Sequence, residues 1–205
     1  MSTDTCHSYP EENVLGQARS EAYSLLGALL RQPPSGELLQ KLAGLEWESD
    51  LPRPLAAGLQ ELRDKSSRYT PEAVAEEFRV LFVGLGRGEI VPYASWYLEG
   101  VLKGGPLARL RTDLGGLGIA PEADSSEPED HAGLLCETMA LLCQQEAVDP
   151  EAYSSFWQQH MTPWMFDFFR DLAKARNAGF YRAVASLGHG VLELDRTLAG
   201  AAGKC

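Results

Sequence analysis

Apolar residues recur every three or four positions along most of this chain, which is the spacing of one face of an α-helix. Between residues 14 and 30 the face is carried by leucines and alanines: Leu15, Ala18, Ala22, Leu25, Leu26, Leu29 and Leu30. Pro33 and Pro34 then end the pattern, because proline lacks the N–H that a helix interior needs. Strand-like alternation never persists for more than a few residues. The pattern therefore predicts an all-α protein, a single-domain helical bundle with short connections.

The same spacing predicts further helices over residues 37–45, 54–65, 70–82, 106–117, 128–146, 164–177 and 180–198. Another helix begins at Asp149-Pro150-Glu151, where proline suits the first helical position and glutamate the positive helix end. Gly84, Gly86 and Gly88 break the pattern and predict an irregular loop over residues 83–94. We expect one domain over residues 1–205, with an ordered core from about 13 to 199.

Composition narrows the class of protein. The 205 residues are 44% hydrophobic and 23% charged, which is typical of a folded globular chain. The formal net charge of −11 argues against nucleic acid as the main partner, because phosphate binding needs clustered lysine and arginine. Neither a signal peptide nor a segment long enough for membrane insertion is evident. The four cysteines are predicted to be free thiols in a reducing cytoplasm: Cys6, Cys136, Cys143 and Cys205.

An acidic stretch, Glu127-Pro128-Glu129-Asp130-His131, precedes the apolar pattern of the predicted helix over 128–146. One interpretation is a helix start with Ser126 or Glu127 at the cap, since acidic groups in a first turn each gain roughly 0.3–1 kcal/mol. The alternative is a functional site, for example a metal- or nucleotide-dependent hydrolase that uses Glu127, Asp130 and His131. The familiar zinc-binding spacings of histidine and glutamate are absent, so the residues predict no metal site.

A second stretch, residues 78–97, combines three glycines with several aromatic residues. No lysine follows the glycines as a phosphate loop requires, so a nucleotide site is not predicted. The glycines instead predict a sharp turn, after which aromatic side chains beside Pro92 are presented: Tyr93, Trp96 and Tyr97. Such side chains make good anchors for an apolar peptide, and core packing is the alternative. Farther on, the aromatic residues are predicted to be core: Trp157, Trp164, Phe168 and Phe169.

Taken in order, these motifs resemble the TorD/DmsD family of redox-enzyme maturation chaperones. The resemblance covers residues 14–198 approximately, and the glutamate-proline-x-aspartate-histidine motif is its most specific part. The residues that carry it are Phe78, Leu81, Phe82, Gly84, Pro92, Tyr93, Ser95, Tyr97, Glu127, Pro128, Asp130, His131, His160, Pro163, Trp164, Phe180 and Tyr181.

The resemblance implies a cytoplasmic, all-α chaperone that has no catalytic residues and needs no cofactor. Such a protein binds the twin-arginine signal peptide of a molybdopterin-dependent oxidoreductase. It holds the precursor of that enzyme until its cofactor is inserted, and then releases it for export. Monomers and domain-swapped dimers both occur in the family.

The signal peptide has a cationic head and an apolar middle, so a receptor should offer carboxylates beside an apolar floor. We expect Asp130, helped by Glu127 or Glu129, to bind the arginines, and His131 to orient Asp130 or to close the site. This requires that residues 78–97 and 127–131 converge in space. The predicted signal-peptide-binding residues are Phe78, Leu81, Phe82, Pro92, Tyr93, Ser95, Trp96, Glu127, Pro128, Asp130 and His131.

Overall fold

The computed structural model describes residues 9–47, 51–84, 86–120, 127–146 and 149–202. These residues form ten α-helices: α1 Tyr9–Arg31, α2 Gly36–Ala43, α3 Arg53–Ser66, α4 Pro71–Phe78, α5 Ala94–Glu99, α6 Gly105–Gly116, α7 Ala132–Gln145, α8 Pro150–Phe156, α9 Met165–Lys174 and α10 Phe180–Ala202. The predicted all-α class is confirmed. Two π-helical segments, Arg79–Val83 and Trp157–Met161, extend α4 and α8. The expected ordered core over 13–199 stays a prediction.

Two helix pairs organise the bundle, because α1 packs along α7 and α3 packs along α10. The first pair approaches closely at Gly27, where a Cβ atom would lie 2.6 Å from Glu137 Cγ and 3.1 Å from the carbonyl oxygen of Gly133. A side chain at Gly27 would therefore push α7 away from α1. The close contact fixes the position of the N-terminal end of α7, which begins directly after the acidic stretch.

The core is aromatic around α9 and α10, as the spacing predicted. Trp164 and Phe169 are each 1% exposed, and Phe168 is fully buried. Trp157, in the second π-helical segment, is 5% exposed. These side chains therefore stabilise the bundle as core residues. Cys136 and Cys143 are free and buried, as predicted, whereas Cys6 and Cys205 lie outside the described residues.

A buried ion pair joins the first and last helices. Arg19 Nε lies 2.7 Å from Asp195 Oδ1, and its guanidinium also contacts Glu146 at 2.6 Å. Tyr23 donates its hydroxyl to the other oxygen of Asp195. Because the charges are paired and hydrogen-bonded, removal of one partner would leave an uncompensated buried charge. This cluster holds α1, α7 and α10 together.

The acidic stretch does not start a helix, which corrects the capping interpretation. Helix α7 begins at Ala132 rather than at residue 128, and its N-cap is His131, whose Nδ1 accepts the Gly133 N–H at 3.1 Å. Residue 126, one of the two predicted caps, lies outside the described residues. The residues before His131 form a turn, in which the His131 N–H donates to the Pro128 carbonyl oxygen at 3.0 Å, and His131 itself pairs with Tyr93 of another segment. Sequence spacing cannot reveal such a partner.

The glycine-rich region forms a turn, as predicted, and a short helix follows that was not predicted. Gly84 (φ +61°) and Gly86 (φ +92°) occupy the left-handed region that favours glycine. The unpredicted helix, α5, covers Ala94–Glu99, which is too short for periodicity to reveal. Among the described helices, none has the length and apolar character required to cross a membrane.

Candidate functional site

The aromatic segment and the acidic stretch meet in an antiparallel bridge between Tyr93 and His131. The Ala94 N–H donates to the Asp130 carbonyl oxygen at 3.0 Å, and the Ala132 N–H donates to the Pro92 carbonyl oxygen at 2.8 Å. These two bonds fix the start of α5 against the start of α7. The predicted convergence is therefore confirmed for residues 92–95.

Asp130 caps α5 from outside that helix. Tyr93 occupies the N-cap position, but its side chain does not bond the helix terminus. Instead, Asp130 Oδ2 accepts the Ser95 N–H at 2.9 Å. Asp130 is 1% exposed, and its Oδ1 has no hydrogen-bond partner among the described residues. A buried carboxylate oxygen without a donor is rare in folded proteins, so this atom has unused hydrogen-bond acceptor capacity.

His131 is held as a neutral imidazole. Its Nδ1 accepts the Gly133 N–H, and its ring packs edge-on against Tyr93 with centroids 5.2 Å apart. Burial lowers the pKa of His131 to about 4, an effect that the charge of Arg31 reinforces and those of Glu127 and Asp130 oppose. At neutral pH the side chain is therefore a hydrogen-bond acceptor for the backbone rather than a cation.

Glu127 and Glu129 complete the acidic stretch on the side facing solvent. The Tyr93 hydroxyl donates to Glu127, and the pKa of Tyr93 is raised by burial and by this carboxylate. Glu129 pairs with Arg111 of α6 at 2.8 Å. Burial opposes ionisation of Glu129, but the hydrogen bond from Arg111 prevails and lowers its pKa. Glu129 is thus ionised at neutral pH.

The first part of the predicted aromatic segment lies elsewhere. Leu81 is fully buried, and the Phe78 and Phe82 rings pack against Tyr181 of α10, at centroid distances of 5.8 and 5.3 Å. These contacts belong to the core around α10. Among the described residues of this segment, those that bond to the acidic stretch follow the glycine turn.

Trp96 is half-buried, and the Arg87 guanidinium lies over its ring, 4.8 Å from the centroid. The indole face of Trp96 can therefore attract a cation. Pro92 and Ser95 are buried, whereas Pro128 is half-buried and Glu127 is exposed. Of the predicted site residues, the structure brings together Pro92, Tyr93, Ser95, Glu127, Pro128, Asp130 and His131.

The sequence analysis missed the loop that follows α5. The Lys103 N–H donates to Ser95 Oγ at 3.2 Å, which ties this loop to the same residue that Asp130 caps. Leu98, Val101 and Leu102 are exposed beside it. The signal available in the sequence was a pair of apolar residues directly after Gly100, in a segment that no predicted helix covers.

Asp130 and His131, the central residues of the hydrolase hypothesis, use their side chains on backbone N–H groups. Within the described part of the chain, no three histidine, cysteine, aspartate or glutamate side chains converge as a metal site would require. The geometry thus provides no observation that favours the hydrolase.

The fold and site define an all-helical protein in which a buried acidic motif is paired with an aromatic segment. The chain matches the family model described as nitrate reductase delta subunit over residues 48–170, more than half of its length. It is 34% identical to the Probable Tat proofreading chaperone DmsD of Haemophilus influenzae over 116 residues, which cover 56% of each protein. It is also 28% identical to the Chaperone protein TorD of Vibrio cholerae, covering 91% of this chain and 94% of that one.

Among solved structures, the chain resembles a redox enzyme maturation protein from Archaeoglobus fulgidus, with a TM-score of 0.58. The sequences are 20% identical, and the match covers 85% of this chain and 93% of the other. At this identity the similarity shows the fold alone. The family model and the curated relatives together establish that this chain belongs to the TorD/DmsD family of redox-enzyme maturation chaperones.

Proposed function

We propose that this protein is a cytoplasmic maturation chaperone that binds the twin-arginine signal peptide of a molybdopterin-dependent oxidoreductase. It holds the precursor while the cofactor is inserted and then releases it for export. The observation that carries the proposal is the bridge between Tyr93 and His131, which sets the acidic motif beside the aromatic segment. The names of the relatives, a Tat proofreading chaperone and a TorD chaperone, support the same function. No residue is catalytic and no cofactor is required.

In this proposal, Asp130 binds an arginine of the peptide through Oδ1. That oxygen is buried and has no donor among the described residues, and a guanidinium would supply strong, charge-assisted N–H groups. Glu127 and Glu129 lie next to it and raise the local concentration of the cationic peptide end. Because Asp130 is 1% exposed, binding requires a local rearrangement of residues 127–131.

The apolar part of the peptide supplies most of the affinity, at about 25 cal/mol per Å² of apolar area removed from water. The charges mainly set its direction. The half-buried rings of Tyr93 and Trp96 flank Ala94 and Ser95, whose backbone N–H groups bond to Asp130, and provide apolar surface there. The residues assigned to the peptide site are Pro92, Tyr93, Ser95, Trp96, Glu127, Pro128, Asp130 and His131, whereas the predicted Phe78, Leu81 and Phe82 pack in the core around α10.

The test is the variant Asp130→Asn, which removes the charge but keeps an oxygen that can cap α5. Binding is measured by fluorescence anisotropy with a synthetic twin-arginine signal peptide and with a second peptide that carries glutamine at both arginines. We expect Asp130→Asn to weaken binding of the arginine peptide by at least about tenfold and to leave the glutamine peptide nearly unaffected.

Asp64→Asn is the matched control, since it removes one negative charge from an exposed residue of α3. If Asp130→Asn and Asp64→Asn both bind the arginine peptide as the unchanged chain does, the role of Asp130 is wrong. Co-purification from the native cell would identify the client enzyme. Sedimentation would distinguish a monomer from the domain-swapped dimer that the family resemblance also allows.

A further inference from the structure

Three exposed apolar side chains cluster after the candidate site. Among the described residues five large apolar side chains are exposed, and three of them lie within five positions: Leu98 (41%), Val101 (53%) and Leu102 (53%). Single exposed apolar residues are ordinary, but a cluster at the end of one short helix is typical of an interaction surface. We name these three residues the α5 loop surface.

The α5 loop surface is held in place by the acidic motif. Gly100 (φ +73°) ends α5. Lys103 (φ +60°) adopts the left-handed backbone conformation that residues other than glycine rarely take. The Lys103 N–H is bonded to Ser95 Oγ, and the Ser95 N–H is bonded to Asp130 Oδ2. Ser95 is fully buried, and its two hydrogen bonds connect the exposed loop directly to Asp130. The left-handed conformation of Lys103 costs free energy, and the hydrogen bond to Ser95 holds it in place. The loop therefore has a defined shape.

The order of charged and apolar groups around Ser95 indicates which kind of ligand the α5 loop surface binds. Ser95 lies between the acidic stretch on one side and the apolar loop on the other. The exposed Glu127 provides negative charge at the acidic end, whereas the α5 loop surface provides exposed apolar area. A ligand that fits this order has a cationic end followed by an apolar segment.

We propose that the α5 loop surface binds the apolar segment of the signal peptide whose cationic end meets the acidic motif. This inference rests on the proposed function. It assigns the apolar contact to side chains that are already exposed, in addition to the half-buried rings of Tyr93 and Trp96. Asp130 then has two roles, because it also positions the loop through Ser95.

The test is the double variant Val101→Ser and Leu102→Ser, made in the full chain. Two peptides are compared by fluorescence anisotropy. Both carry the twin arginines, but one has a leucine-rich middle and the other has serine at those leucines. The unchanged chain should bind the leucine peptide more tightly. The double variant should bind the leucine peptide about tenfold more weakly than the unchanged chain, and the serine peptide equally well.

Leu141→Ser is the matched control, because Leu141 is similarly exposed (48%) but lies on α7. It should bind both peptides as the unchanged chain does. Equal binding of the leucine peptide by the double variant and the unchanged chain overturns this inference and leaves the proposed function standing. Failure of the unchanged chain to bind either peptide overturns both. If the double variant loses only a dimer seen in sedimentation, the surface contacts a second copy and the inference is wrong.

Discussion

Two helices of this protein begin at a carboxylate that comes from a distant part of the chain, and the two carboxylates are used differently. At the start of α10, Glu77 accepts three backbone N–H groups, from Gly179 at 2.8 Å, Phe180 at 2.9 Å and Tyr181 at 2.7 Å. At the start of α5, Asp130 accepts one, from Ser95, and its second oxygen has no partner among the described residues.

The difference separates a structural cap from a cap that retains binding capacity. Glu77 uses both oxygens on α10, so it locks the end of α4 to the last helix and has little left to offer a ligand. Asp130 caps α5 with one oxygen, and its other oxygen is buried without a partner among the described residues. A carboxylate cap therefore serves stability alone at α10, whereas at α5, in our proposal, it also serves recognition.

The largest expected effect comes from breaking the fully used cap. Glu77→Ala leaves three backbone N–H groups of α10 without their acceptor, so we expect the free energy of unfolding to fall by roughly 3–4 kcal/mol. Denaturant unfolding followed by circular dichroism measures the change. Under conditions where the variant is folded, its affinity for the signal peptide should match that of the unchanged chain.

Glu76→Ala is the control, because the neighbouring Glu76 is exposed and pairs only with Arg79 among the contacts described. Its unfolding curve should nearly overlay that of the unchanged chain. Identical unfolding midpoints for Glu77→Ala and Glu76→Ala would mean that the Glu77 cap does not stabilise the fold. A specific loss of peptide affinity in Glu77→Ala would remove the distinction between the two caps.

The second effect is a pH dependence from His131, the neighbour of Asp130 in the chain. The unfolded chain binds a proton at His131 near its ordinary pKa of about 6.5. The folded chain binds that proton only near pH 4, mainly because His131 is buried. Stability is therefore retained above pH 6.5 and falls as the pH drops from 6.5 to 4, by about 3 kcal/mol in total.

His131→Asn isolates this contribution, since asparagine can cap α7 but does not titrate. Denaturant unfolding at several pH values between 7 and 4 gives the free energy for each chain. The unchanged chain should lose about 3 kcal/mol more than His131→Asn over this window. Parallel pH profiles for the two chains would show that His131 is not the buried neutral group that the structure indicates.

The smallest effect concerns the link from the Asp130 cap to the loop after α5. Ser95→Ala removes the acceptor of the Lys103 N–H but keeps the backbone bond to Asp130. We expect the free energy of unfolding to fall by only about 0.5–1 kcal/mol, whereas the Lys103 amide should exchange its hydrogen measurably faster. Ser67→Ala is the control, because its hydroxyl bonds only within its own turn. Unchanged exchange at Lys103 would disprove the link.

Much of the fold could be predicted from local pattern. Helices with a long apolar face, such as α1 and α3, were predicted close to their observed positions. Helix α8 begins as expected, with the Asp149 side chain capping it. Such elements depend on interactions between residues three or four positions apart, which are visible in a single sequence.

The errors occur where backbone groups bond to a distant segment. The acidic stretch carries every local sign of a helix start, yet its residues pair with residues 92–94 and α7 begins only at Ala132. Helix α5 was missed because it is short and has Tyr93 at its N-cap position, a residue that cannot cap. Its cap is Asp130, which lies 35 residues away from Ser95.

The sequence alone determined the helical class, most helix positions, the aromatic core and the residues worth considering as a site, because each follows from local periodicity or from a recognisable motif. Tertiary structure decided which of those residues meet. It placed Phe78, Leu81 and Phe82 toward α10, brought Tyr93 to His131, and turned Asp130 into a remote cap with one oxygen to spare. These outcomes depend on hydrogen bonds and burial between segments far apart in the chain, and a local pattern contains no information on such partners.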